Sequence, residues 1–151
     1  MKKRAAAKRK SAKAKARTRA VKRVAAVPEG RGTLIPQITV RGAAQALDFY
    51  KRAFGERELM RRAGPDGKVM HAEVKLGGRL MFVVDEFPEF GPGPRAPQTL
   101  GGTSGTLHMY VPNVDAAVKR AVDAGATVTM PVADMFWGGR YGKISDPFGH
   151  D

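Results

Sequence analysis

One stretch of this chain repeats the layout of another, and that repeat limits the folds open to it. IPQITVRGAAQALDFYKRAFGE, beginning at Ile35, aligns with TLHMYVPNVDAAVKRAVDAGAT, beginning at Thr106, at an offset of 71 residues. Val40 then falls on Val111, Leu47 on Val118 and Gln37 on His108. A repeat of this kind calls for two copies of one supersecondary unit, not one continuous α or β pattern.

The first copy opens with a strand over 34–40 and an amphipathic helix over 43–54. Ala43, Leu47, Tyr50 and Phe54 recur there at helical spacing, and Gly55 ends the run. Strands near 57–62, 68–76 and 79–85 follow, joined by the turns GPDG and GG. In the second copy a strand over 106–111 precedes Asn113, a good helix N-cap. Val114, Ala117, Val118, Ala121 and Val122 form the apolar stripe, and Gly125 is the stop. Strands near 127–132 and 140–145 come next. The order is β, α, β, β, β in the first module (34–86) and β, α, β, β in the second (104–151), whose last strand is missing. The Pro/Gly-rich segment over 87–103 reads as a linker or a lid.

Residues 1–32 carry 13 Lys or Arg and one acid, Glu29, so nearly all of the chain's net charge of +13 lies there. With so few large aliphatics this tail cannot repay the entropy of ordering, and disorder is expected. Lys2, Lys3, Arg4, Lys8, Arg9, Lys10, Lys13, Lys15, Arg17, Arg19, Lys22 and Arg23 would neutralise phosphates of a nucleic acid without sequence preference. A solvated tail is the plainer alternative for this composition, and an organellar presequence a lesser, third one. The folded part is then 33–151. No apolar run approaches the roughly 20 residues that a membrane-spanning helix needs. There is no cysteine, hence no disulfide, thiol nucleophile or thiolate metal site. A soluble, cytoplasmic protein is expected, associated with the nucleoid if the tail binds nucleic acid.

Strand alternation sorts the side chains into faces. Leu34, Pro36, Ile38 and Val40 oppose Ile35, Gln37 and Thr39. Met70, Ala72, Val74 and Leu76 oppose Val69, His71, Glu73 and Lys75. Leu107, Met109 and Val111 oppose Thr106, His108 and Tyr110. If the polar faces look the same way, Gln37, His71, Glu73, Asp85, His108 and Tyr110 surround one concavity, although Asp85, with Glu86, reads better as the start of the connecting loop. The alternative is the ordinary solvated face of an antiparallel sheet. Trp137 and Tyr141, within WGGRYG, either stack on a ligand or cover a core edge. His150 reads as an exposed turn residue. No phosphate-binding Gly-Lys-Ser/Thr loop, Gly-x-Ser-x-Gly or His-Glu-x-x-His motif is present.

LIPQITVRGAAQALDFYKRAFG, PDGKVMHAEVKLGGRLMFVVDE, LHMYVPNVDAAVKRAVDAGATVTMPVADMFWG and RYGKISDPFGH together resemble the PhnB-like branch of the vicinal oxygen chelate superfamily. Glyoxalase I, the bleomycin-resistance proteins and extradiol dioxygenases belong to that superfamily. The resemblance implies an α+β fold of paired βαβββ modules, a ligand cleft lined by the sheets, and a homodimer. In many relatives a strand beginning with Trp follows DPFGH, and it is absent here. Metal-dependent relatives carry ligands on the first and last strands of each module. The matching positions here are Ile35, Thr106 and Met81 or Phe82, with the fourth beyond Asp151, and none suits a hard cation.

The resemblance therefore implies a small-molecule binding protein using Gln37, His71, Tyr110, Trp137 and Tyr141, with no cofactor. An alternative is a divalent metal displaced onto Gln37, His108 and Glu73, with Glu73 and His108 catalytic in a glyoxalase-like lyase or isomerase. A third is a protein tethered to nucleic acid by its tail.

Overall fold

A computed structural model describes residues 27–151. The expected disorder of the tail, and its phosphate-binding residues between Lys2 and Arg23, lie outside the described residues. The chain divides after Gly30; residues 27–30 form an exposed turn, and the second unit is Arg31–Asp151.

The first module contains β1 (Gln37–Val40), α1 (Ala43–Phe54), β2 (Arg57–Ala63), β3 (Val69–Leu76) and β4 (Arg79–Asp85). Its sheet runs β1-β4-β3-β2, with β1 parallel to β4 and the other pairs antiparallel. α1 buries Ala43, Ala46, Leu47, Phe49, Tyr50 and Ala53 against this sheet. Ile38, Val40, Ala72, Val74, Met81 and Val83 meet it from below. Each large apolar side chain so enclosed contributes about 1.5–3 kcal/mol.

The helix start is held from a distance. Gly42, at φ 88°, turns the chain in a left-handed conformation and offers no side-chain cap. Asp85, at the end of β4, replaces it: one carboxylate oxygen accepts from Gly42 N (2.8 Å) and Ala43 N (2.9 Å), the other from Val69 N (2.7 Å). Asp85 thus closes β4 facing the helix layer with Met81 and Val83, and is neither part of a concavity with Gln37 nor the start of the connecting loop. Alternation also fails at the start of β3. The register shift between Arg62 and Ala63 turns Val69 into the core and leaves Met70 53% exposed. A bulge of this kind exchanges the faces on either side of it.

The second module is built more sparsely. α3 (Val114–Ala124) is capped by Asn113, whose Oδ1 accepts from Ala116 N at 2.9 Å, but it buries only Ala117 and Ala121. β5 (Thr127–Asp134) and β6 (Arg140–Ser145) form a separate antiparallel hairpin. The strand expected at 106–111 is not formed. In the first module β1 bonds to β4 alone. Counting 71 residues on from β4 reaches 150–156, and of those positions the described residues include 150 and 151. One rung exists, from Leu107 N to Asp151 O at 2.9 Å. Beyond it, 108–111 make no backbone hydrogen bond with the described residues.

α1 and α3 pack together, and the DPFGH turn closes one end of that contact. Phe148 stands edge-on to Phe49 at 6.3 Å, and Tyr50 Oη donates to Asp146 Oδ2 at 2.6 Å. The segment after β4 carries a 3₁₀ turn (Pro88–Phe90) and a single helical turn, α2 (Pro97–Leu100). Glu86 ties it down by accepting from Ala96 N (3.0 Å), Thr99 Oγ1 (2.7 Å) and Arg41 Nε (3.1 Å). Among the described residues no helix is long and apolar enough to cross a membrane.

Candidate functional site

The face of the first sheet turned away from α1 has a defined row. Gln37 lies opposite Phe82, Phe82 opposite Glu73, and Glu73 opposite Met60. His71, two residues before Glu73, shares its face; its ring meets Phe82 edge-on at 4.6 Å, and its Nε2 is 3.3 Å from Glu73 Oε1. Gln37, His71 and Glu73 therefore share one face, as the alternation predicts.

Glu73 is not an open carboxylate. It is only 3% exposed, and Arg31 Nη2 donates to its Oε2 at 2.6 Å. A carboxylate this deep is stable only because a charged donor and a second polar group meet it. By composition Arg31 belongs to the basic tail. Nothing local could have placed it elsewhere, because its partner is 42 residues away.

The second group is aromatic. His108 stacks nearly parallel to Tyr141 (5.8 Å, 14°) and lies 4.9 Å from Tyr110. Tyr141 meets Trp137 edge-on at 6.1 Å, and Trp137 meets Phe136 at 4.9 Å. Five rings thus form a continuous series, and Tyr110, Trp137 and Phe136 are 93%, 57% and 98% exposed. Of these, sequence reasoning missed Phe136; its signal was a large aromatic beside Trp137 in a glycine-rich turn. The β5–β6 hairpin brings Trp137 and Tyr141 together, while His108 and Tyr110 come from the unpaired segment. Solvent-facing aromatic surface is a poor use of such residues unless something flat covers it.

The two groups are chemically distinct, and among the described residues no hydrogen bond or ion pair joins Gln37 or Glu73 to His108. No three His, Asp or Glu side chains converge among the described residues. At the positions where the resemblance expects ligands stand Ile35, half-buried, Thr106, exposed, Met81, in the core, and Phe82, beside His71. Aliphatic, thioether and aromatic groups do not fit a divalent cation, and Glu73 is committed to Arg31.

A third polar cluster lies between the modules. Asp146 accepts from Tyr50 Oη and from the amides of Phe148 (2.8 Å) and His150 (2.9 Å). Burial opposes its ionisation, but the hydrogen bonds from His150 and Tyr50 outweigh that and hold its carboxyl below the usual range. Burial, with Asp146 alongside, pushes the Tyr50 phenol far upward. His150 corrects a sequence expectation: its side chain is 11% exposed and sits 3.7 Å from Asp146. The cluster closes the inter-module contact.

A model of the glyoxalase/bleomycin resistance protein/dioxygenase superfamily matches residues 33–151. An uncharacterised protein of Mycobacterium bovis is 46% identical over 118 residues, 78% of each chain. The X-ray structure of an Arabidopsis thaliana gene product is 29% identical, with a TM-score of 0.64 over 79% of this chain and 93% of that one. The PhnB protein of Bacillus cereus, 15% identical, shares the fold with a TM-score of 0.59 over 79% of this chain and 95% of that one.

Proposed function

This chain belongs to the glyoxalase/bleomycin resistance protein/dioxygenase superfamily, and on that premise we propose that it is a binding protein for a small organic ligand, held without turnover. The observation that carries this reading is the exposed series of rings His108, Tyr110, Tyr141, Trp137 and Phe136. Such a series offers π faces and ring edges to a planar ligand, each aromatic contact contributing about 0.5–1.5 kcal/mol beyond area burial. Gln37 and His71 supply polar contacts for a ligand that also reaches the first sheet. In this reading the protein works as a homodimer, the arrangement common in the superfamily.

The lyase reading requires Gln37, His108 and Glu73 to share a cation, and no observation favours it, since Arg31 holds Glu73. The reading of the tail as a nucleic-acid tether rests on charge alone. It requires DNA binding that falls steeply with salt and disappears when residues 1–32 are removed.

Trp137 is the only tryptophan, so its emission reports on the ring series alone. Titration with indole, acridine and flavin should give saturable quenching with at least one of them, weakened tenfold or more by Tyr141→Ala. Quenching that stays linear and collisional for all three, with calorimetry showing no heat of binding, would defeat the proposal.

A further inference from the structure

We propose that the face of the first sheet turned away from α1 holds a small organic anion, a phosphate monoester, in a clamp made by Arg57 and Lys75. This extends the reading of the chain as a small-molecule binding protein and rests on it for the size of the ligand. No ring of the His108 series takes part in the clamp.

β2 carries charges on both of its faces, and only one face is balanced. Glu58 and Arg61 lie opposite Val74 and Ala72, on the helix side. There Arg61 donates twice to Glu58, at 3.0 and 2.7 Å. Arg57 and Arg62 lie opposite Lys75 and His71, on the other side. Arg57, Arg62 and Lys75 are exposed, and none makes an ion pair or side-chain hydrogen bond among the described residues. Residues 1–26 contain no acid. The carboxylate that β1–β4 place on this face is Glu73, and Arg31 already holds it at 2.6 Å. Arg31, Arg57, Arg62 and Lys75 thus stand against a single acid.

Arg57 and Lys75 are directly opposite across the β2–β3 ladder. Like charges so placed oppose strand pairing, and their side chains leave the sheet about 4.5–5.5 Å apart, close enough for one anion to accept from both. Charge sets the class of that anion. A carboxylate offsets one of the two cations, whereas a phosphate monoester carries about −1.5 to −2 at neutral pH and has three acceptor oxygens. Arg presents a planar fork to two such oxygens, and Lys a point charge to the third.

The same row continues onto β4, where Leu80 lies opposite Lys75. Phe82 follows two residues along on the same face, and both are half-buried. The organic group of the ester therefore has an apolar strip beside the clamp. Arg62 is opposite His71, four residues along β3 from Lys75 and hence about 13 Å away. It adds to the positive field without touching the phosphate.

The test titrates the 151-residue protein with phenyl phosphate at constant ionic strength, followed by nuclear magnetic resonance. The expected result is saturable one-to-one binding that shifts the side-chain signals of Arg57 and Lys75. Arg57→Gln and Lys75→Gln should each weaken it about tenfold, and benzoate should bind about tenfold more weakly than phenyl phosphate. Arg61→Gln, on the helix side, should leave binding unchanged. Without ligand, Lys75→Gln should raise the melting temperature by about 1–4 °C, because it ends the repulsion across the ladder.

The proposal is overturned if millimolar phenyl phosphate leaves Arg57 and Lys75 unshifted, if Arg61→Gln weakens binding as much as Arg57→Gln, or if Lys75→Gln lowers the melting temperature. A duplex oligonucleotide that displaces phenyl phosphate from the same side chains at far lower concentration would assign the face to nucleic acid and overturn it as well. Binding at Arg57 and Lys75 with no dye quenching Trp137 would support the clamp and defeat the ring series; quenching without binding at the clamp would do the reverse.

Discussion

Two segments at matching places in the repeat, 37–40 and 108–111, have different fates. The first is strand β1, bonded along its length to β4 and buried from Ile38 to Val40. The second carries the same alternation but bonds to nothing described beyond Leu107, and Tyr110 projects into solvent. Alternating apolar residues therefore permit a strand without making one; the ladder that completes it is non-local. The helices show the same contrast. α1 fills its interface with Leu47, Phe49 and Tyr50, whereas α3 presents Ala117 and Ala121.

The largest expected difference is in amide exchange. The amides of Ile38 and Val40 should exchange only through global unfolding, and those of 109–111 within a factor of about ten of a free peptide, a separation of several orders of magnitude. Slow exchange at 109–111 in the isolated protein would erase the contrast. Next come the two helix starts. Asp85→Ala removes the acceptor of three backbone amides and should cost about 3 kcal/mol or more in urea denaturation. Asn113→Ala removes one and should cost about 1 kcal/mol. Equal costs would mean that the modules are capped with equal effect.

Arg31→Ala leaves Glu73 buried beside His71 alone and should cost about 2 kcal/mol. A smaller penalty for the double variant Arg31→Ala/Glu73→Gln would show that the charge itself is what Arg31 compensates.

The smallest effect concerns acid. The amide of Ala96, with Thr99 and Arg41, holds Glu86 down to about 2, against 4.5 as its ordinary value. A carboxylate lowered in this way contributes stability above its unfolded pKa, and that stability is lost as pH falls through the folded value. Glu86→Gln should therefore flatten the stability profile between pH 4.5 and 2 and leave its alkaline side unchanged. Arg41 is 61% exposed on its side chain, so screening keeps this contribution small.

The parts of the fold legible in sequence are those with a local signal. The stripe of α1, the stops at Gly55 and Gly125, the Asn113 cap and the β2–β6 spans all declare themselves within a few residues, whereas the α3 stripe is met only at Ala117 and Ala121, with Val122 exposed. The parts that escaped depend on distant partners: Arg31 on Glu73 and Asp85 on Gly42, while 108–111 have no ladder partner among the described residues. Val69 and Met70 escaped for another reason, since one bulge inverts a face that strict alternation would fix. Of the candidate residues, Gln37, His71 and Glu73 share a face and His108, Tyr110, Trp137 and Tyr141 share a ring series. Sequence could not show that these are two groups, nor that Arg31 claims the carboxylate of one.

The joint between the modules has a consequence of its own. Glu86 fastens the chain as far as Thr99, whereas 101–106 are exposed and Thr103 bonds only to Gly105 nearby. What unites the halves is the α1–α3 contact and the Tyr50–Asp146 bond. Continuity of the polypeptide at 101–106 contributes proximity and little else. A protease cut there would leave a nicked complex of two fragments that comigrate under native conditions and separate only in denaturant.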